Sequence, residues 1–287
     1  MTHHHDTTHM DWNEMLPLLE AGAELRTPLY RQATAWLTDL LPLGGVRRVL
    51  DVGSGPGVLS CLLAEAFPYA EVVAVDATPE LLARARARAA ERGARVTTHL
   101  AELPRDTGDL GEADLIWAGE SVHHLGDQRG ALAGLARRLR PGGLLAVVEG
   151  GLPGRSLPRD IGFGRPGLET RLDAASADWF TEMRAAPPGA REETEDWRSL
   201  LGAAGLAPSG TRTFLLDIPA PVPDAVREHV TATFSRHRTA LADGLSEDDR
   251  TSLDRLLDPD DPASLHRRPD VYLLAARTVH TARRVAP

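Results

Sequence analysis

The feature that most restricts the fold of this 287-residue chain is a regular alternation between Val46 and Glu149. Short runs rich in apolar and β-branched residues, VRRVLDV (46–52), EVVAVD (71–76), ARVTTHL (94–100), ADLIWA (113–118) and GLLAVVE (143–149), read as strands. Between them, 57–67, 79–92 and 127–139 read as amphipathic helices. Thr78 and Pro79 mark the start of the second helix, Gly93 its end, and Pro141-Gly142-Gly143 the stop of the third. Strand and helix in strict turn require right-handed βαβ crossovers, hence a parallel sheet in an α/β fold.

The flanks differ. Met15, Leu18 and Leu19, then Leu29, Ala33, Trp36, Leu37 and Leu40, recur at helical spacing, with Thr27 and Pro28 placed as N-cap and first-turn proline. After Glu149 comes a turn-rich stretch and an irregular segment carrying Phe163, Trp179, Phe180 and Met183. A helix near 194–204, a strand near 211–218, two helices within 223–257 and a last strand at 271–278 follow. The expected division is a tail and helices at 1–42, a core at 43–150, a lid and helix at 151–210, a closing strand hairpin at 211–279 with a helical insertion at 220–270, and a tail at 280–287.

Composition narrows the chemistry. All 32 basic residues are arginines, so a lysine Schiff base and a P-loop lysine are both excluded. The net charge of −9, with arginines spread fairly evenly outside Arg84 to Arg95, argues against a nucleic-acid partner. Cys61 is the single cysteine, which excludes an intramolecular disulfide and fits a reducing, cytoplasmic compartment. No apolar run approaches membrane-spanning length, and the opening MTHHHDTTHMDW has no apolar core of a signal peptide. His3, His4, His5 and His9 read as a polar tail, and no metal site is expected.

The first strand runs into VLDVGSGPGVLS (49–60), which places Asp51, Gly53, Ser54, Gly55 and Gly57 at the strand-to-helix turn. Glycine there permits a sharp turn and close approach of a ligand to the backbone. The spacing is G-x-G-x-G, whereas a dinucleotide fingerprint wants G-x-G-x-x-G. An aspartate two residues before the first glycine would repel a pyrophosphate but suits a ligand bearing an ammonium group. Asp76, 19 residues beyond Gly57, closes the second strand, where a carboxylate can accept hydrogen bonds from both ribose hydroxyls; its other reading is an acid at the start of the next helix.

These segments resemble the class I S-adenosylmethionine-dependent methyltransferases of the small-molecule type with capping helices. VLDVGSGPG is similar to the family's first motif, VVAVD to its acidic second, HLAELP to its adenine-side loop, ADLIWAGESVHHL to its fourth strand and loop, and LRPGGLLAVVEGG to its fifth. The resemblance covers about 46 to 150 and implies a Rossmann-like seven-stranded sheet with N-terminal helices, an inserted helical cap and S-adenosyl-L-methionine as cofactor. It further implies that Asp51, Gly53, Ser54, Gly55 and Gly57 line the amino-acid half of the cofactor. Asp76 would hold the ribose, Ala77 would contact the adenine, Ala101 and Glu102 would lie at its amino edge, and Gly119 and Tyr30 would lie near or over the cofactor. Many relatives have Gly-Asp or Asp-Ala where this chain has Ala101-Glu102, so glutamate would reach the adenine on a longer stem.

Methyl transfer from a sulfonium is a direct displacement, served mainly by alignment and exclusion of water. A base is needed only for an acceptor that must lose a proton. The base candidates are His123, His124 and Glu120, in the loop after the fourth strand, with Glu149 at the same rim; packing and hydrogen bonding are their other roles. His229 and His237, eight residues apart with Thr233 between, share one helix face that would touch substrate if that helix caps the pocket. The expected activity is transfer of a methyl group to an oxygen, nitrogen or carbon of a small molecule of secondary metabolism, with a homodimer as the oligomer considered. A peptide or protein acceptor, a cofactor-binding protein that does not methylate, and an NAD-dependent oxidoreductase are the alternatives.

Overall fold

The computed structural model describes residues 12–186 and 190–285, so the histidines at 3, 4, 5 and 9 lie outside the described residues. The predicted strand runs form β1 (Arg48–Val52), β2 (Glu71–Asp76), β3 (Val96–Leu100), β4 (Ala113–Gly119) and β5 (Leu139–Arg155), all parallel to one another. Two further strands, β6 (Ala207–Ile218) and β7 (Leu273–Arg283), complete one seven-stranded sheet in the order β3-β2-β1-β4-β5-β7-β6. β7 lies between β5 and β6 and is antiparallel to both.

The period of two along each strand sorts its side chains onto two buried faces. Val49, Leu115, Trp117, Leu144, Ala146 and Val148 fall on one; Leu50, Val52, Ile116, Ala118, Leu145 and Val147 fall on the other. The first face is covered by α2 (Thr27–Leu40) and α3 (Val58–Ala66), which contribute Leu29, Ala33, Leu37, Leu62 and Leu63, and by α4 (Pro79–Arg92), whose Leu82 and Ala85 meet Ala74. α5 (Gln128–Arg138) and α7 (Trp197–Ala203) cover the second through Leu132, Leu135, Trp197 and Leu200. The remaining helices are α1 (Trp12–Leu25), α6 (Leu168–Ala185), α8 (Asp224–Ala240) and α9 (Glu247–Leu257). Val226, Val230 and Phe234 of α8 and Leu253 and Leu256 of α9 join the same cluster as the first face. The cap is thus an extension of the main core, with no separate core of its own.

Local structure departs from the sequence reading at five places. Arg26, in place of Thr27, holds the N-cap position of α2, because α1 ends at Leu25 and the Arg26 carbonyl already accepts from the Tyr30 amide at 3.0 Å. Thr78 does stand at the N-cap of α4 but makes no side-chain cap; its amide donates to Asp76 Oδ1 at 3.0 Å. α5 stops at Arg138, ahead of Pro141-Gly142-Gly143, which fall in the first residues of β5; the residue before a proline is driven out of helical geometry, and Gly142 sits at φ +80°. The segment read as irregular contains the 18-residue α6, which hides its period because only Leu168 and Leu172 are buried along it. The last strand runs to Arg283 instead of 278, so part of the expected tail pairs with β5 and β6.

Among the described residues no helix is long and apolar enough to cross a membrane.

Candidate functional site

The glycine turn sits where β1 gives way to α3, at the carboxyl edge of the parallel strands, the edge at which open α/β sheets bind ligands. The Gly53 and Ser54 amides donate to the Val75 carbonyl at 2.8 and 3.0 Å, which ties the turn to the end of β2. Gly57 has φ +76°, and a Cβ there would lie 2.6 Å from the Ala85 Cβ, so glycine lets α3 and α4 close together. Gly55 is different. It has φ +53°, and a Cβ built on it meets nothing within 4 Å, so the turn faces open space.

Two carboxylates flank the turn. Asp76 Oδ2 accepts from the Gly55 amide at 2.9 Å and Oδ1 from Thr78, which leaves a further lone pair on each oxygen for a ligand. Asp51 lies beneath the turn, 1 % exposed, accepting from Ser60 Oγ at 2.5 Å. Burial pushes its carboxyl up to about 7, against the Ser60 hydrogen bond and reinforced by the negative charge of Asp76. Ser54 Oγ is buried with no hydrogen-bond partner. Ala77 is exposed at the end of β2, and Ala101, buried, donates its amide to the Asp76 carbonyl at 3.0 Å. The Glu102 carboxylate is 62 % exposed and pairs with Arg105 at 2.8 Å.

β4 delivers the next group. Gly119 packs so closely on Trp117 that a Cβ would lie 2.5 Å from the indole Nε1, itself buried and unpartnered. Glu120 follows at φ +49°, the one positive φ outside glycine among the described residues. Its carboxylate accepts from Tyr30 Oη at 3.0 Å and from Arg277 Nε. Burial favours protonation of Glu120, but the charges of Arg277 and Arg26 and the two hydrogen bonds outweigh it and hold the carboxyl below its ordinary range. Tyr30, buried beside that anion, is pushed well above its usual pKa. An ionised, doubly bonded carboxylate is a weak proton acceptor, so Glu120 has the geometry of an anchor between α2 and β7.

His123 and His124 form a single turn after Glu120 and lie against each other, with ring centroids 4.0 Å apart and planes tilted by 49°. Glu149, 3 % exposed at the end of the apolar run of β5, accepts from the Val122 and His123 amides and meets His123 Nδ1 at 2.6 Å. A buried carboxylate on one ring nitrogen sets the orientation of the imidazole and leaves Nε2 for other work. His124 has no such partner; burial, followed by the nearby His123, lowers it to about 4, so it is neutral at physiological pH. Both rings also meet Phe180 of α6, at 5.4 and 6.2 Å.

One turn from Phe180, α6 lines a cavity of about 350 Å³ together with α1, α8 and the carboxyl-edge ends of β5, β6 and β7. His229, Thr233 and His237 do face this cavity, joined there by Arg26, Arg236 and Arg277. α1 is held across it by Glu20, which accepts from Arg84 at 2.8 Å and pairs with the buried Arg88. The sequence reading missed Arg26, Arg236 and Arg277, since nothing local distinguishes them among 32 arginines.

A family model for a methyltransferase domain matches residues 49–143. Trans-aconitate 2-methyltransferase of Delftia acidovorans is 35 % identical over 140 residues, which are 48 % of this chain and 48 % of that protein. Protein-L-isoaspartate O-methyltransferase 1 of Anaeromyxobacter sp. is 33 % identical over 163 residues, 54 % of this chain and 73 % of that one. The chain spans about half the length of most of the curated relatives it matches. Among solved structures, the YcgJ protein of Bacillus subtilis superposes with a TM-score of 0.50 at 21 % identity, covering 89 % of this chain and 99 % of that chain, a likeness of fold alone. Sequence identity that runs through nearly three quarters of a methyltransferase, on a sheet ordered as described above, decides membership: the chain belongs to the class I S-adenosylmethionine-dependent methyltransferase family.

Proposed function

We propose that this chain transfers a methyl group from S-adenosyl-L-methionine to an oxygen, nitrogen or carbon atom of a small molecule. The observation that carries the reading is the 350 Å³ cavity, whose wall residue Arg277 is joined through Glu120, at the end of β4, to Tyr30 of α2. A cavity of that size suits a small ligand, which supports a small-molecule acceptor over a peptide.

The residues at the turn fit the cofactor: open space over Gly55, the unpartnered Ser54 Oγ, and the unpartnered Trp117 Nε1 beside Gly119. Asp51, Gly53, Ser54, Gly55, Gly57, Gly119 and Tyr30 would hold its amino-acid half, and Asp76, Ala77, Ala101 and Glu102 its adenosine half. Glu102 would first have to leave Arg105. When bound, the cofactor supplies a methyl group on a sulfonium, whose thioether leaving group needs no proton. The chain's own work is placement. α1, α6 and α8 exclude water, and Tyr30, Glu120 and Arg277 keep α2 and β7 in register around the reacting centre. For an acceptor that must lose a proton, His123, oriented by Glu149, is the base; His124 and Phe180 pack against it.

The acceptor in this reading is an intermediate of secondary metabolism, handled in the cytoplasm. Calorimetric titration with S-adenosylmethionine, S-adenosylhomocysteine and NAD tests the cofactor assignment. Stoichiometric binding of the first two is expected; tight NAD binding without S-adenosylmethionine binding would overturn it.

A further inference from the structure

The charges around the cavity do not cancel. Seven titratable side chains face it: Arg26, Arg236, Arg277, His229, His237, Glu169 and Asp173. Arg277 is spoken for by Glu120, and Asp173 by Arg155. Glu169 spends its carboxylate on the Ser156 and Leu157 amides, at 2.8 and 3.2 Å, and burial pushes it up to about 7. Arg26 and Arg236 remain. Among the described residues neither has a carboxylate within 4.0 Å; Arg26 donates to the Gly22 carbonyl at 3.1 Å and Arg236 to Thr233 Oγ1 at 3.3 Å.

Burial, then the charge of Arg26, lowers the pKa of Arg236, and burial with both arginines lowers His229 to about 4. The imidazole is therefore neutral and adds no third charge. His237 Nδ1 is buried without a partner in the same wall. Leu25, Leu172, Val230 and Phe234 supply an apolar remainder. Two guanidinium groups in one cavity wall, neither in a direct ion pair although the charge of Arg26 also acts on Glu120, make with the apolar side chains and the unmet imidazole nitrogen a site for an anion with an apolar body.

We infer that the acceptor molecule carries a carboxylate and that Arg26 and Arg236 bind it, so that the cavity selects anionic small molecules over neutral isosteres. This inference rests on the cavity being the acceptor site of the proposed transferase. Arg26 sits at the junction of α1 and α2 and Arg236 on α8, so the carboxylate would also draw that junction and α8 together over the cavity.

The test uses the full chain saturated with S-adenosylhomocysteine and one pair of probes, 2-naphthoate and its neutral isostere 2-naphthamide, titrated calorimetrically. Naphthoate should bind at least ten times more tightly than the amide. Arg236→Gln and, separately, Arg26→Gln should each remove most of that preference while leaving amide affinity unchanged. Equal binding of acid and amide, binding of neither, or unchanged naphthoate affinity in both variants would overturn the inference. S-adenosylhomocysteine affinity, measured in the same samples, reports whether each variant is folded. Its absence in the unchanged chain would sink the transferase reading; its presence without an anion preference would sink only this one.

Discussion

Replacing Asp51 by asparagine separates the stability of the turn from its binding role. The carboxyl lies 1 % exposed beneath the glycine turn, with Ser60 Oγ on one oxygen and the charge of Asp76 nearby. Burial first of all moves it from 3.8 to about 7. A carboxyl whose folded pKa lies above its unfolded value binds more protons folded than unfolded, so stability is fully present below the unfolded pKa and is lost as pH rises towards 7. One pKa unit is worth ~1.4 kcal/mol, so the ionised group lowers the stability of the empty protein by about 4 kcal/mol at pH 8 but by less than 2 at pH 5. Asp51→Asn removes the ionisation and keeps an acceptor for Ser60. Its amide group needs a partner of its own, but that cost does not vary with pH. The stability of the variant relative to the unchanged chain should therefore increase by roughly 2–3 kcal/mol between pH 5 and pH 8, as read by urea unfolding at each pH. S-adenosylhomocysteine affinity should fall in the same protein, because the charge facing the ammonium is gone. A stability difference that stays constant across this range would refute the buried-carboxylate reasoning, and unchanged affinity would refute the role given to Asp51.

Three further outcomes are expected. Tyr30→Phe removes one donor from the buried Glu120 and should cost about 1–3 kcal/mol in urea unfolding, since a charged acceptor loses a hydrogen bond. Glu20→Gln should speed hydrogen exchange in α1 at pH 7; the Arg84 hydrogen bond above all holds Glu20 below 4.5, so its contribution is present above that value and disappears as pH falls through the folded pKa. His123→Ala should lower kcat by roughly 100-fold or more for an acceptor that must lose a proton, with little change in the KM for S-adenosylmethionine, whereas equal turnover would leave alignment alone as the mechanism.

Much of the core is legible in sequence because its signals are local. The run from Val49 to Gly57 carries a buried strand, a turn and a helix start within a few residues, and Gly93 ends α4 at φ +62° where the chain needs the left-handed conformation. β-branched runs and helical periods write the alternation directly, and alternation implies the parallel sheet. α6 was not legible, because a helix that buries Leu168 and Leu172 alone shows almost no period. The join of β7 between β5 and β6 likewise has no local sign, since its partners lie far away along the chain.

The sequence by itself determined the βαβ core, the glycine turn and the family resemblance, all products of backbone preference and of periods a few residues long. Tertiary structure alone decided how the chemistry is grouped. Tyr30 meets Glu120 across 90 positions and Arg277 meets it across 157, while Arg26 and Arg236 come to one cavity from the α1–α2 junction and from α8. The reason is physical: an arginine's role follows from which carboxylate, or none, packing brings within reach. In a chain whose cations are all arginine, residue type carries no information about that choice.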